Sequence, residues 1–135
     1  MAVYLANTGV LTVNAVDLST LVTSVTINRA ADELDVTALG DQGHRYIKGL
    51  EASSISIDFI NDSASSKTLQ TLQTNWGSNV TVTFKQVDAV VSATNPLYTM
   101  TCLINNTTPV NGTVADLSTQ SVTWNVSGTI AITTS

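Results

Sequence analysis

Apolar and polar residues alternate along most of this chain with a period of two. Ile55, Ile57 and Phe59 alternate with Ser54, Ser56 and Asp58, and Val80, Val82 and Phe84 alternate with Thr81, Thr83 and Lys85. Such spacing predicts strands with one buried and one wet face. The same phase runs through Tyr98, Met100, Cys102 and Ile104, and through Val122, Trp124 and Val126. Ile130 and Ile132 predict a short terminal strand. Val10 to Val16 and Thr23 to Ile27 predict an early pair separated by a turn region at Asp17 to Thr20. The total is about seven strands, the pattern of a mainly β protein.

One segment departs from this period. Leu69, Leu72 and Trp76 recur at i, i+3 and i+7, with Lys67, Gln70, Gln73 and Asn75 on other faces, which predicts an amphipathic α-helix over residues 63–76. Asp62 or Ser63 can cap its start, and Gly77 can end it in the left-handed conformation. Trp76 and Trp124 both fall on the apolar phase of their elements, so burial is expected for each.

Two stretches lie outside the scaffold. Val87 to Pro96 is small, polar and nearly uncharged, as an exposed connection should be. Residues 29–50 form a long loop by this reading, with Gly40, Gly43 and Gly49 supplying backbone freedom. That loop holds the lone His44, the bases Arg29, Arg45 and Lys48, and the acids Asp32, Glu33, Asp35 and Asp41. No composition shift divides the 135 residues, so one domain spanning 1–135 is expected.

Composition sharpens this picture. The chain has 22 Thr, 14 Ser and 16 Val, with aromatics at only 5%, which favours strands with hydroxyl-rich outer faces. Ten acidic against 5 basic residues leave a net charge of -5, which argues against a phosphate-binding surface and a tightly bound nucleic acid. No apolar run approaches the roughly 20 residues of a membrane helix. The start from Met1 to Leu5 lacks the features of a secretory signal, and the lone Cys102 fits synthesis in a reducing cytosol. Cys102 sits on an apolar face, where a thiol is inert core.

No catalytic constellation emerges. His44 can be grouped with Asp41 and Ser53, but no Gly-x-Ser-x-Gly elbow or enforcing spacing accompanies them. The acids of residues 29–50 lack the ligand spacing of a calcium loop, and one Cys with one His falls short of a zinc site. Gly40 and Gly43 lack the Gly-Lys-Ser/Thr of a phosphate loop. No enzyme, cofactor or metal is expected, and a structural or binding role is favoured.

Several ordered pieces carry a resemblance. They are Glu33-Leu34-Asp35-Val36-Thr37-Ala38-Leu39-Gly40-Asp41 with Gly49-Leu50, Ser54 to Phe59 leading into the helical segment, and Ala93-Thr94-Asn95-Pro96-Leu97-Tyr98. Pro109 to Leu117 and Val122-Thr123-Trp124-Asn125-Val126-Ser127-Gly128 complete the series. In this order the chain resembles the major tail tube proteins of long-tailed bacteriophages, the short kind without a C-terminal immunoglobulin-like domain. The resemblance implies an antiparallel β-sandwich or barrel, a pair of sheets with one flanking α-helix. It also implies homo-hexameric rings stacked into a tube, with tape measure and tail terminator proteins as further partners. Viral DNA would pass through without specific binding and without a membrane, in a virion tail assembled in the host cytoplasm. Arg29, Asp32, Glu33, Asp35, Asp41, His44, Arg45 and Lys48 would then lie in the loop that reaches the adjacent ring. The rival readings are a surface adhesin or carbohydrate-binding sandwich, which would use exposed aromatics or calcium, and a small β-sandwich hydrolase.

Overall fold

The alternating segments become strands whose inward residues form one continuous core. A computed structural model describes residues 8–135; the Met1 to Leu5 segment lies outside them. Among these described residues ten strands are formed in chain order: β1 (Val10–Val13), β2 (Val16–Asp17), β3 (Val22–Asn28), β4 (Ala31–Asp35), β5 (Tyr46–Glu51), β6 (Ser54–Ile60), β7 (Asn79–Lys85), β8 (Leu97–Leu103), β9 (Thr119–Asn125) and β10 (Ala131–Thr133). Among the described residues one α-helix, α1 (Thr68–Thr74), lies between β6 and β7, and a single 3-10 turn (Ser19–Leu21) precedes β3.

The strands make a five-stranded antiparallel sheet in the order β10-β8-β7-β1-β2 and a three-stranded antiparallel sheet in the order β3-β6-β9. The two sheets remain open, so the architecture is sandwich-like and not a closed barrel. Leu11, Val13, Val82, Met100 and Cys102 of the larger sheet are buried together with Ile55, Ile57, Phe59, Val122 and Trp124 of the smaller. The ring of Trp124 lies 6.3 Å from that of Phe59, and its Nε1 donates to the Asn106 carbonyl at 3.2 Å. That bond satisfies the indole's one polar group at full burial.

The opposite faces carry hydroxyls. Thr12 and Thr83 are hydrogen-bonded on the outer face of the larger sheet, and Ser56 pairs with Thr123 at 2.9 Å on that of the smaller. Thr hydroxyls and β-branched stems suit a half-wet pleated surface, which explains the composition.

Four local departures from the sequence reading have physical causes. Val10 to Val16 is two strands, because Asn14 and Ala15 adopt φ of 51° and 65°. Two consecutive positive values make the tight primed turn that matches strand twist. The helix is shorter than 63–76: Ser66 has φ of 60° and Lys67 is extended, so Thr68 is its first residue. Asp62 caps only the preceding turn, accepting the Ala64 amide at 2.9 Å, while Gly77 takes the expected positive φ of 76°. Trp76, beyond the shortened helix, is 55% exposed, so its expected burial fails; Leu72 is the helix's large buried residue. Finally, residues 29–50 are not a loop but contain the β4–β5 hairpin. With β2, β4 and β5 added, the expected seven strands become ten.

The connections are ordered by asparagines and a glutamine. Buried Asn95 donates to the Val87 carbonyl at 3.0 Å and accepts the Val87 amide at 3.3 Å, closing the exposed 87–96 connection. Asn106 and Asn111 donate to the Thr123 and Thr119 carbonyls at 3.0 and 2.9 Å, so the outer edge of β9 is covered by its own chain. Among the described residues no helix is long and apolar enough to cross a membrane.

Candidate functional site

The hairpin of β4 and β5 continues the β3–β6 pair past the smaller sheet, joined to it by the Ala52 amide donating to the Ala30 carbonyl at 2.8 Å, and forms a two-stranded sheet of its own. Every residue of β4 is exposed, and β5 has only Gly49 and Glu51 partly covered. Register places Glu33 opposite Lys48, Leu34 opposite Ile47 and Asp35 opposite Tyr46, and Val36 donates to the Arg45 carbonyl at 2.8 Å. Alternation therefore separates two faces. Leu34, Val36 and Ile47 share one with Asp32 and with Arg45, which is opposite Val36; Glu33, Asp35, Tyr46, Lys48 and Leu50 share the other. A register shift between Ala31 and Glu33 bends the ladder near Gly49, where a side chain would meet the Asp32 Cβ at 3.0 Å.

The apex is held by a polar network. Asp35 accepts the Thr37 amide at 2.9 Å and its hydroxyl at 2.5 Å, and that hydroxyl oxygen accepts the Arg45 amide at 2.9 Å. Asp41 accepts the Ala38 amide at 2.7 Å and Arg45 Nε at 2.9 Å. Gly40, at φ of 94°, makes the turn possible beside fully exposed Leu39. His44 Nδ1 lies 3.5 Å from an Asp35 carboxylate oxygen, and its ring stacks on Tyr46 at 6.1 Å. The Thr37 hydroxyl, then the Thr37 amide, hold the Asp35 carboxyl below its ordinary pKa; His44 adds a smaller effect in the same direction.

At the base, Arg29 and Lys48 converge on Glu51 at 3.7 and 3.8 Å. All eight residues expected in the loop thus belong to one arm, with Asp35, Asp41, His44 and Arg45 gathered at its apex and Arg29 and Lys48 joined through Glu51. Asp32 and Glu33 lie along β4. The sequence reading missed Glu51, Tyr46 and the apolar cluster. Alternation in Leu34-Asp35-Val36-Thr37 and Tyr46-Ile47-Lys48 was the available signal.

The structure separates the Ser, His and Asp that could be grouped on paper. Ser53 is buried and accepts the Ala30 amide at 3.4 Å, His44 contacts Asp35 and Thr37, and Asp41 is engaged by Arg45. Among the described residues no three His, Cys, Asp or Glu side chains converge as metal ligands. What the arm can do chemically is bind: it offers strand edges, one face where Leu34, Val36 and Ile47 cluster between Asp32 and Arg45, and one face of mixed charge with Tyr46 and Leu50. No family model matches this chain, and no curated protein matches it.

Proposed function

We propose that the chain is a structural subunit that self-assembles into a phage tail tube, six copies closing a ring and rings stacking through the β4–β5 arm. The observation that carries this reading is the arm itself. An isolated two-stranded hairpin is marginal in water, and this one leaves Leu34, Leu39, Ile47 and Leu50 between 48% and 105% exposed. Apolar residues concentrated on a projecting ribbon mark a surface that another chain covers. A contact between unlike patches of identical copies propagates into rings or filaments.

The remaining surface suits a conduit. The outer faces of the sheets are Ser- and Thr-rich, with Asp17, Lys85 and Asp58 their charged positions, and the chain's net charge is -5. Such a wall has little with which to trap a phosphate polymer. Electron microscopy of the purified protein over a wide concentration range tests the proposal. Hollow tubes of uniform width are expected; a species that stays monomeric by light scattering and shows no rings or tubes would overturn it.

A further inference from the structure

The three-stranded sheet covers the five-stranded one incompletely, and the gap lies beside β3. Across the larger sheet, Ile132 faces Tyr98, Tyr98 faces Phe84 and Phe84 faces Leu11, so these four residues form one row on the inner side. Leu11 is buried at 1%, Phe84 and Tyr98 are only partly covered, and Ile132 is 42% exposed. The row floors a groove of about 600 Å³ whose wall is β3, with Val22, Val25 and Ile27 half-buried along it. β3 is an edge strand of seven residues, and its backbone hydrogen bonds go to β6 alone among the described residues. The opposite edge, β9, is covered by Asn106 and Asn111, so among the described residues the open edge and the open groove coincide on one side.

The same chain carries what this site lacks. The smaller sheet is two strands narrower than the larger, and the arm is a two-stranded ribbon with Leu34, Val36 and Ile47 clustered on one face between Asp32 and Arg45. We infer that the groove is the receiving site for the arm of a second copy, whose hairpin adds to the edge of β3 and lays its apolar cluster over the Ile132, Tyr98 and Phe84 row. This rests on the self-assembly reading above and names the surface that the arm engages. Strand addition satisfies the β3 amides and carbonyls that have no partner among the described residues, and alternate side chains fill the groove. The joined smaller sheet then has five strands over five. Because arm and groove are different patches, one junction leaves a free arm at one end and a free groove at the other, and the contact can repeat.

Two variants test this. Leu34→Asp with Ile47→Asp disables the arm, and Ile132→Glu disables the groove; all three positions are exposed enough for each protein to keep its fold, which melting curves verify. Each variant alone should associate at least about tenfold more weakly than the parent, the loss that one buried apolar contact brings. Mixed after separate purification, the two should restore a single junction, because one supplies an intact groove and the other an intact arm. Sedimentation should show pairs of monomers or pairs of rings and no long particles. A mixture with no junction, or an Ile132→Glu protein that polymerises like the parent, would overturn the assignment. Hollow tubes insensitive to Ile132→Glu would do so while leaving the tube reading intact. Restored junctions with solid fibres in place of tubes would overturn the tube reading and retain the contact, whereas a parent protein that never associates would remove both.

Discussion

Leu34 stands directly opposite Ile47 across the β4–β5 ladder, and both remain about half exposed, at 48% and 53%. A cross-strand apolar pair contributes about 0.2–1 kcal/mol, too little to hold a ribbon against the entropy of ordering it. The ribbon's shape is set instead by the network of Asp35, Thr37, Asp41 and Arg45 at its apex and by the ion pairs at Glu51. Polar groups thus fix the arm's form while its apolar cluster stays free.

Hydrogen exchange should display that division. Amides of β4 and β5 should exchange far faster than those of β6, which is bonded on both sides by β3 and β9 and buries Ile55, Ile57 and Phe59. On assembly the arm amides should become protected as a neighbour covers them. Equal protection of β4, β5 and β6 in dilute protein would show that the arm belongs to the fold. Replacing Arg29 to Leu50 by a short Gly/Ser linker should, for the same reason, leave a cooperatively melting domain that forms no tubes.

Cys102 tests the strand phase. Its side chain is fully buried between Met100 and Ile104 in the core, and burial pushes its thiol from 9.0 up to about 11. The thiolate is the reacting species, so a thiol reagent should modify the folded protein orders of magnitude more slowly than the denatured chain. Similar rates in both conditions would contradict the burial.

The difference between these two regions explains what could be read in advance. Ile55, Ile57 and Phe59, Val80 and Val82, and Cys102 all lie on long strands whose inward side chains meet a single core, so period and burial coincide. In the arm, the same alternation in Leu34 to Thr37 has no core to face, and charge density with three glycines masked it as a loop. Helix length failed for a local reason. Nothing in Ser63-Ala64-Ser65-Ser66 forbids a helix, yet the Asp62 turn and the positive φ of Ser66 win once Thr68 Oγ1 is bonded to the Ile60 carbonyl. The receiving groove joins β3 to residues of β1, β7, β8 and β10, and no one-dimensional pattern reports such an adjacency.

The two tryptophans should separate cleanly in fluorescence. Trp124 is fully buried and Trp76 is 55% exposed. Trp76→Phe should remove nearly all acrylamide quenching of the folded protein and change stability by no more than about 0.5 kcal/mol. Trp124→Phe should cost about 1–3 kcal/mol, because the Asn106 carbonyl loses its donor and a void opens beside Phe59. Strong quenching that survives Trp76→Phe would place Trp124 at the surface.

A second pair of substitutions isolates hydrogen bonding in the helix. Thr68 and Thr71 are both buried, but Thr68 Oγ1 donates to the Ile60 carbonyl at 3.0 Å, whereas Thr71 Oγ1 has no partner among the described residues. Valine keeps the branched shape and deletes the hydroxyl. Thr68→Val should destabilise by about 1–2 kcal/mol, while Thr71→Val should be neutral or stabilising, since it removes a desolvated group that gains nothing. Urea unfolding of the two variants decides this, and equal losses would mean that both hydroxyls are satisfied.

Acid should loosen the arm's apex before it unfolds the core. Asp35 titrates below its ordinary 3.8 because the Thr37 hydroxyl and amide, and to a smaller degree His44, favour its carboxylate. For a depressed carboxyl the sign is fixed: the ordering it supplies is complete above the unfolded value and is lost as pH falls through the lower folded value. Asp17 behaves alike through the Ser19 hydroxyl and amide, but it secures the turn that enters β3, next to buried Leu18. The two sites therefore report different things. Below pH 3.8 the Thr37 and Arg45 amides should shift and lose protection, and Asp35→Asn should place them in that state at neutral pH without moving the melting temperature, because the arm contributes nothing to the core. Asp17→Asn should instead flatten the acid limb of the melting curve and leave the Thr37 resonance alone. Proton resonances followed from pH 6 to pH 2 in the parent and both variants separate these effects. A Thr37 amide indifferent to acid, or an Asp35→Asn protein that melts as though a core contact had been removed, would mean that the apex network is not what orders the arm.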